Sequence, residues 1–164
     1  MTLIVQRPRS VVFAAMAVCA GLMVSACVPA TGDQASPERA QDDLVNLVTK
    51  TATLVDPEGW SDLGKPSWGS CSVDGGDGVR ASWFYTREPL AEHTSNAQRV
   101  ADYWASLGMN VRVVSEPTVS VYAEGAAAAS IAFHTEPGLY SVSGTSVCVP
   151  GTPEEMIRRE AGLE

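Results

Sequence analysis

Sixteen consecutive residues without a charge, Val11 to Ala26, follow Arg7 and Arg9 and run into a cysteine. Basic residues, an apolar run and then small residues form the three parts of a secretory signal. The run is shorter than the about 20 residues needed to cross a hydrocarbon core, so a retained membrane helix is the weaker reading. On that reading the chain beyond the cysteine is expected to fold in an oxidising compartment outside the cytoplasm, without these residues.

The run closes on Val24-Ser25-Ala26-Cys27. These four residues resemble the lipobox of bacterial lipoproteins, in which a branched apolar residue and two small residues precede an obligatory cysteine. The resemblance implies a diacylglyceryl group on the Cys27 sulfur and cleavage between Ala26 and Cys27. Two acyl chains meet the requirement for stable anchoring, where one chain binds only marginally. An ordinary signal peptide cut after Ala26, with Cys27 merely nearby, is the alternative. Nine arginines against two lysines, with abundant alanine and valine, are similar to the composition of small actinobacterial lipoproteins of uncharacterised function. The expected localisation is the outer, extracytoplasmic face of the cell membrane.

Under that reading residues 1–26 are a signal peptide, 27–36 a flexible tether and 37–164 one α+β domain. Pro29, Gly32 and Pro37 punctuate the tether, whose stretched reach is about 30 to 35 Å. Loss of Arg7 and Arg9 leaves nine basic and nineteen acidic side chains, a net charge near −10. Such a surface repels nucleic acid and anionic headgroups. Membrane contact through the Cys27 lipid is therefore expected, and nucleic acid is not.

The resemblance also bears on the other cysteines. Cys19 leaves with the apolar run and Cys27 is taken by lipid, so Cys71 and Cys148 remain and can pair in one way. A bridge across about 78 residues is worth about 4 kcal/mol in the chain-entropy account. Two unpaired core cysteines are the alternative.

Periodicity places the elements. Ser36-Pro37-Glu38 starts a helix over 37–55, with Ala40, Leu44, Leu47, Val48, Thr51 and Val55 on one stripe. Residues 60–70 read as an ordered loop, 69–73 as a strand, 74–78 as a turn, and Val79, Ala81, Trp83 and Tyr85 as the inner face of the next strand. Ser95 with Gln98 reads as a capping box for a second helix, with Ala97, Val100, Ala101, Trp104 and Leu107 inward and Gly108 as its stop. Strands are expected at 110–115, 118–124, 127–134 and 139–149, with a bulge at Gly144. Thr152 and Glu155 cap a short terminal helix. The predicted architecture is a mainly antiparallel sheet of four to five strands, two helices packed on one face, and one disulfide.

Motifs for chemistry are few. Asp74 and Asp77 lack the alternate spacing and twelfth-position carboxylate of a calcium loop, and a solvated turn explains them. His93 and His134 have no His or Cys partner at zinc spacing, so no metal and no cofactor are predicted. No Gly-x-Ser-x-Gly, Ser-x-x-Lys or His-Glu-x-x-His is present, and no catalytic residue is assigned. Trp60 and Trp68 lie where no periodicity buries them and are the candidate ligand contacts, against simple packing at the sheet edge. The expected function is a lipid-anchored binding or interaction module of the cell envelope, taking an envelope protein or a small ligand. The alternative is an envelope hydrolase with dispersed residues and His134 or His93 as base.

Overall fold

The computed structural model describes residues 36–62 and 64–163. Cys27, the lipobox and the tether through residue 35 lie outside the described residues. Helix α1 (Pro37–Val55) opens as its sequence requires: the Ser36 hydroxyl accepts from the Arg39 amide at 3.2 Å, and Pro37 occupies the first turn. The predicted stripe is buried, with Leu44, Val48 and Thr51 fully enclosed. Thr51 donates to the Leu47 carbonyl at 2.8 Å and accepts the Trp104 indole N–H at 2.9 Å, so a polar residue inside the stripe becomes a link to the next helix.

Strands β1 (Ser61–Asp62), β2 (Ser67–Val73) and β3 (Gly76–Arg87) come next. The β2–β3 turn is shorter than expected, because Asp74 and Gly75 both take positive φ, 51° and 78°, and close a two-residue hairpin that pairs Val73 with Gly76. Positive φ at both central residues is the type I′ arrangement that Asp-Gly favours. Asp77 and Gly78 consequently belong to β3.

Helix α2 (His93–Ser106) begins three residues after Leu90, ahead of the predicted capping box. Ser95 does not cap it; its hydroxyl donates to the Glu92 carbonyl at 3.3 Å inside the first turn. Ala97, Val100, Ala101 and Trp104 are buried as expected. Leu107 is not: the helix has already ended at Ser106, Gly108 turns the chain at φ 76°, and Met109 takes the inward position.

Strands β4 (Asn110–Val114), β5 (Ser120–Gly125), β6 (Ala128–Glu136), β7 (Leu139–Ser146) and β8 (Val149–Pro150) precede helix α3 (Pro153–Glu160). The sheet is antiparallel in the order β1-β3-β7-β6-β5-β4, with β2 and β8 also paired to β3. The α+β class holds, but the sheet has eight strands where four to five were expected. Two of the additional strands are two-residue pairings along β3, too short to leave a periodic signature in sequence.

The expected disulfide is present, joining Cys71 to Cys148 with a Cα–Cα distance of 6.1 Å. Its position explains a glycine. Cys71 pairs with Gly78 on one side of β3 and Pro150 pairs with it on the other, so the bridge crosses over β3. A Cβ at Gly78 would lie 2.5 Å from the Cys148 sulfur.

Gly144 is no bulge. It pairs in register with Trp83 and Ile131, and the irregularity sits in β6, between Ala128 and Ser130. Gly144 instead admits α1: a Cβ there would stand 2.8 Å from Leu44 Cδ1. The main core lies in this layer, where Trp83, Val121, Ile131, Phe133, Tyr140 and Val142 meet the stripes of α1 and α2. A smaller cluster of Ala40, Val79, Val149 and Met156 seats α3, whose Thr152 hydroxyl accepts from the Glu155 amide at 3.3 Å. Arg159 ties that helix to Glu38 at 2.8 Å. No described helix is long and apolar enough to cross a membrane.

Candidate functional site

Successive residues of a strand point to opposite faces, so burying one set under helices presents the other set on the far side. Among the described residues the helices pack on the inner side only, and the outer face of β3, β7, β6, β5 and β4 forms an open groove of about 930 Å³. Its composition is set by two rows of cross-strand partners. One row runs Phe84, Ser143, Ala132, Tyr122, Arg112 across five strands. The other runs Ser67, Ser82, Thr145, Ser130 across four and consists wholly of hydroxyl side chains.

Small side chains make the floor and larger ones the margins. Phe84 is 39 % exposed, a large apolar ring left in solvent. Two strands separate β3 from β5, so Phe84 and Tyr122 rise about 14 Å apart, three spacings of about 4.8 Å. The Arg112 guanidinium lies over the Tyr122 ring, 4.5 Å from its centroid, a cation–π contact that holds its fork in place. Lys65 enters the lining from the connection between β1 and β2. Asn110 donates to Glu124 at 3.0 Å near the β4 margin. Neither Lys65 nor Arg112 forms an ion pair with a described residue. Ser82 and Thr145 approach each other at 3.4 Å, while the hydroxyls of Ser67, Ser130 and Ser143 have no hydrogen-bond partner among the described residues.

The tryptophans named from sequence lie elsewhere. Trp60 is half-buried against the main core; its indole N–H donates to the Asp56 carbonyl at 2.9 Å, and Arg87 stands over its ring. Arg87 also pairs with Asp56 at 3.0 Å. That guanidinium and, more strongly, the Glu58 backbone N–H hold the Asp56 carboxyl below the usual range. Trp68 bridges the two core clusters and donates to Glu160 at 2.8 Å. Both indoles are occupied in packing, and neither lines the groove.

Neither histidine is among the residues lining the groove. His93 opens α2 and meets Tyr140 edge-on at 5.3 Å. The Tyr140 hydroxyl donates to the Leu90 carbonyl at 3.0 Å, and burial raises its pKa. His134 is on the open face, one register step from Ala132, with Nδ1 3.2 Å from the Ser120 hydroxyl and its ring edge-on to Tyr122. A nucleophile needs a base that is itself oriented by a third group. Here Ser120 is 5 % exposed and no described carboxylate pairs with His134. No cluster of three or more His, Cys, Asp or Glu suited to a metal occurs among the described residues.

Sequence reasoning did not find the groove, although a signal was present. The outward positions Ser82, Ser130, Ala132, Ser143 and Thr145 carry no charge, which is unusual for a sheet face meant only to meet water.

No protein-family model matches the chain, and no curated protein matches it. Among solved structures it is similar to the crystal structure of a DUF4853 family protein from Actinomyces odontolyticus. The identity is 12 % and the TM-score 0.49, covering 71 % of this chain and 69 % of that one.

Proposed function

We propose that this protein is a lipid-anchored, extracytoplasmic binding module of the cell envelope, carried on Cys27, that takes an elongated ligand in the groove of its open sheet face. The carrying observation is the groove itself. It is an uncharged floor between Phe84 and Tyr122 on which no described helix packs, and the Ser143 hydroxyl there has no partner among the described residues. Concave surfaces with a few convergent polar groups are the usual form of a ligand site. The lipobox, the tether and the acidic surface support placement outside the membrane, facing envelope components rather than nucleic acid.

Two measurements test this. Mass spectrometry of the membrane-extracted protein should give a diacylglyceryl-modified N-terminal Cys27; an unmodified N-terminus removes the anchor. NMR titration with fragment mixtures should shift Phe84, Tyr122 and Ser143 together, and shifts confined to other surfaces would remove the groove. The hydrolase alternative would have to work through Ser120 and His134. It gains ground only if an ester or amide probe is cleaved and His134→Ala abolishes cleavage while leaving the melting temperature unchanged.

A further inference from the structure

We propose that the groove's ligand is a short, linear, acidic oligosaccharide, bound with a sugar face on Phe84 and a carboxylate on Arg112; this rests on the groove being the binding site. Three observations select that chemistry over other elongated ligands.

The floor is the first. Ser67, Ser82, Thr145 and Ser130 form one continuous row, and Ser143 lies beside it. An acyl chain laid on this row would cover hydroxyls and offer them nothing, and a buried hydroxyl without a partner is unfavourable. A polyhydroxylated ligand does the opposite, because each sugar hydroxyl can both donate and accept, as each serine does. The free hydroxyls of Ser67, Ser130 and Ser143 are then matched rather than stranded.

The second is the backbone. Across the groove floor β3, β7, β6 and β5 are hydrogen-bonded to neighbours on both sides, and a free edge is left at the margin strands β2 and β4. Peptides that bind by strand addition need a free sheet edge. The floor between those margins offers side chains only, which suits a ligand laid across the strands and recognised through its own hydroxyl groups and ring faces.

The third is charge. The chain carries a formal net charge of −8 and has only two lysines, yet Lys65 and Arg112 both line the groove and neither is neutralised by an ion pair with a described residue. The single acid among the described lining residues, Glu124, is held by Asn110. Arg112 is stacked on Tyr122, so its planar fork is ordered before any ligand arrives and can meet a carboxylate with two hydrogen bonds. Phe84 supplies an exposed ring whose electron-rich face attracts the C–H face of a pyranose.

The test uses the full lipidated protein in detergent, titrated with trigalacturonate, with neutral maltotriose and with palmitate, read by calorimetry and by shifts of groove resonances. Trigalacturonate is expected to saturate, to weaken as salt rises and to exceed maltotriose about tenfold. Phe84→Ala and Arg112→Gln should each cost about tenfold in affinity, a single charge-assisted or stacking contact. Phe84→Trp should retain binding, and all three variants should melt as the parent does. Absence of saturable trigalacturonate binding, or binding that both Phe84→Ala and Arg112→Gln leave unchanged, overturns the proposal. If palmitate shifts the groove resonances while trigalacturonate does not, the acidic glycan is wrong and the groove reading stands. If no probe shifts them, both fall.

Discussion

The two faces of this sheet are built from the same strands, yet they use opposite halves of the side-chain repertoire. Inward, β3, β5, β6 and β7 present Trp83, Val121, Phe133, Ile131, Tyr140 and Val142, all buried beneath α1 and α2. Outward, the neighbouring positions are Ser82, Phe84, Tyr122, Ser130, Ala132, Ser143 and Thr145. The inner face spends its side chains on filling volume, to the point that Gly144 is needed to let Leu44 approach. Among the described residues, the outer face leaves volume unfilled and the hydroxyls of Ser67, Ser130 and Ser143 without partners. A stable sheet needs only one such packed face, which leaves the other free for recognition.

Substitutions can break or sharpen that contrast. The largest effect is expected at Trp104, fully buried and hydrogen-bonded to Thr51. Trp104→Ala should cost about 3 to 5 kcal/mol in a denaturant titration; a loss under about 1 kcal/mol would mean that the inner layer is not the core. Next is Cys71→Ala, expected to remove up to about 4 kcal/mol on the loop-entropy account and to expose one titratable thiol at Cys148. An unchanged thiol count in both forms would deny the bridge.

Gly144→Ala should cost about 1 to 3 kcal/mol through overpacking against Leu44. The same change made in a Leu44→Ala background should cost less, and additivity of the two would show that α1 does not approach the sheet there. A smaller effect is expected from pH. Asp56 has a lowered folded-state pKa, so its contribution is present above its unfolded value and is lost as pH falls through the folded one. Asp56→Asn should therefore flatten the acid limb of a melting-temperature profile, and a profile identical to the parent would remove that role. On the open face Ser143→Ala should change stability by under about 0.5 kcal/mol. A larger loss would mean that this face, too, is structural.

Much of the helix-bearing side was legible in the sequence. The α1 stripe from Ala40 to Val55, the alternation Val79-Ala81-Trp83-Tyr85 and the stop at Gly108 are local patterns, and local periodicity is what a single sequence displays. The start of α2 was not legible, because Glu92 caps it without any side-chain hydrogen bond and the Ser95 signal pointed inside the helix. Trp60 and Trp68 looked available because neither belongs to a periodic run; their partners Arg87 and Glu160 lie 27 and 92 positions away. The groove was harder still. Phe84 and Arg112 are 28 positions apart, and only the order β3-β7-β6-β5-β4 makes them ends of one row.

The sequence by itself determined the span and buried stripe of α1, most of the inward stripe of α2, the inward alternation of β3, and the pairing of Cys71 with Cys148. Those properties depend on residues within a few positions of one another, or on simple counting. Tertiary structure alone decided the strand order, the crossing of the disulfide over Gly78, the approach of Leu44 to Gly144, and the gathering of five uncharged outward positions into one floor. Each of these depends on cross-strand registers, and a register is set by how the whole inner face packs rather than by any one strand.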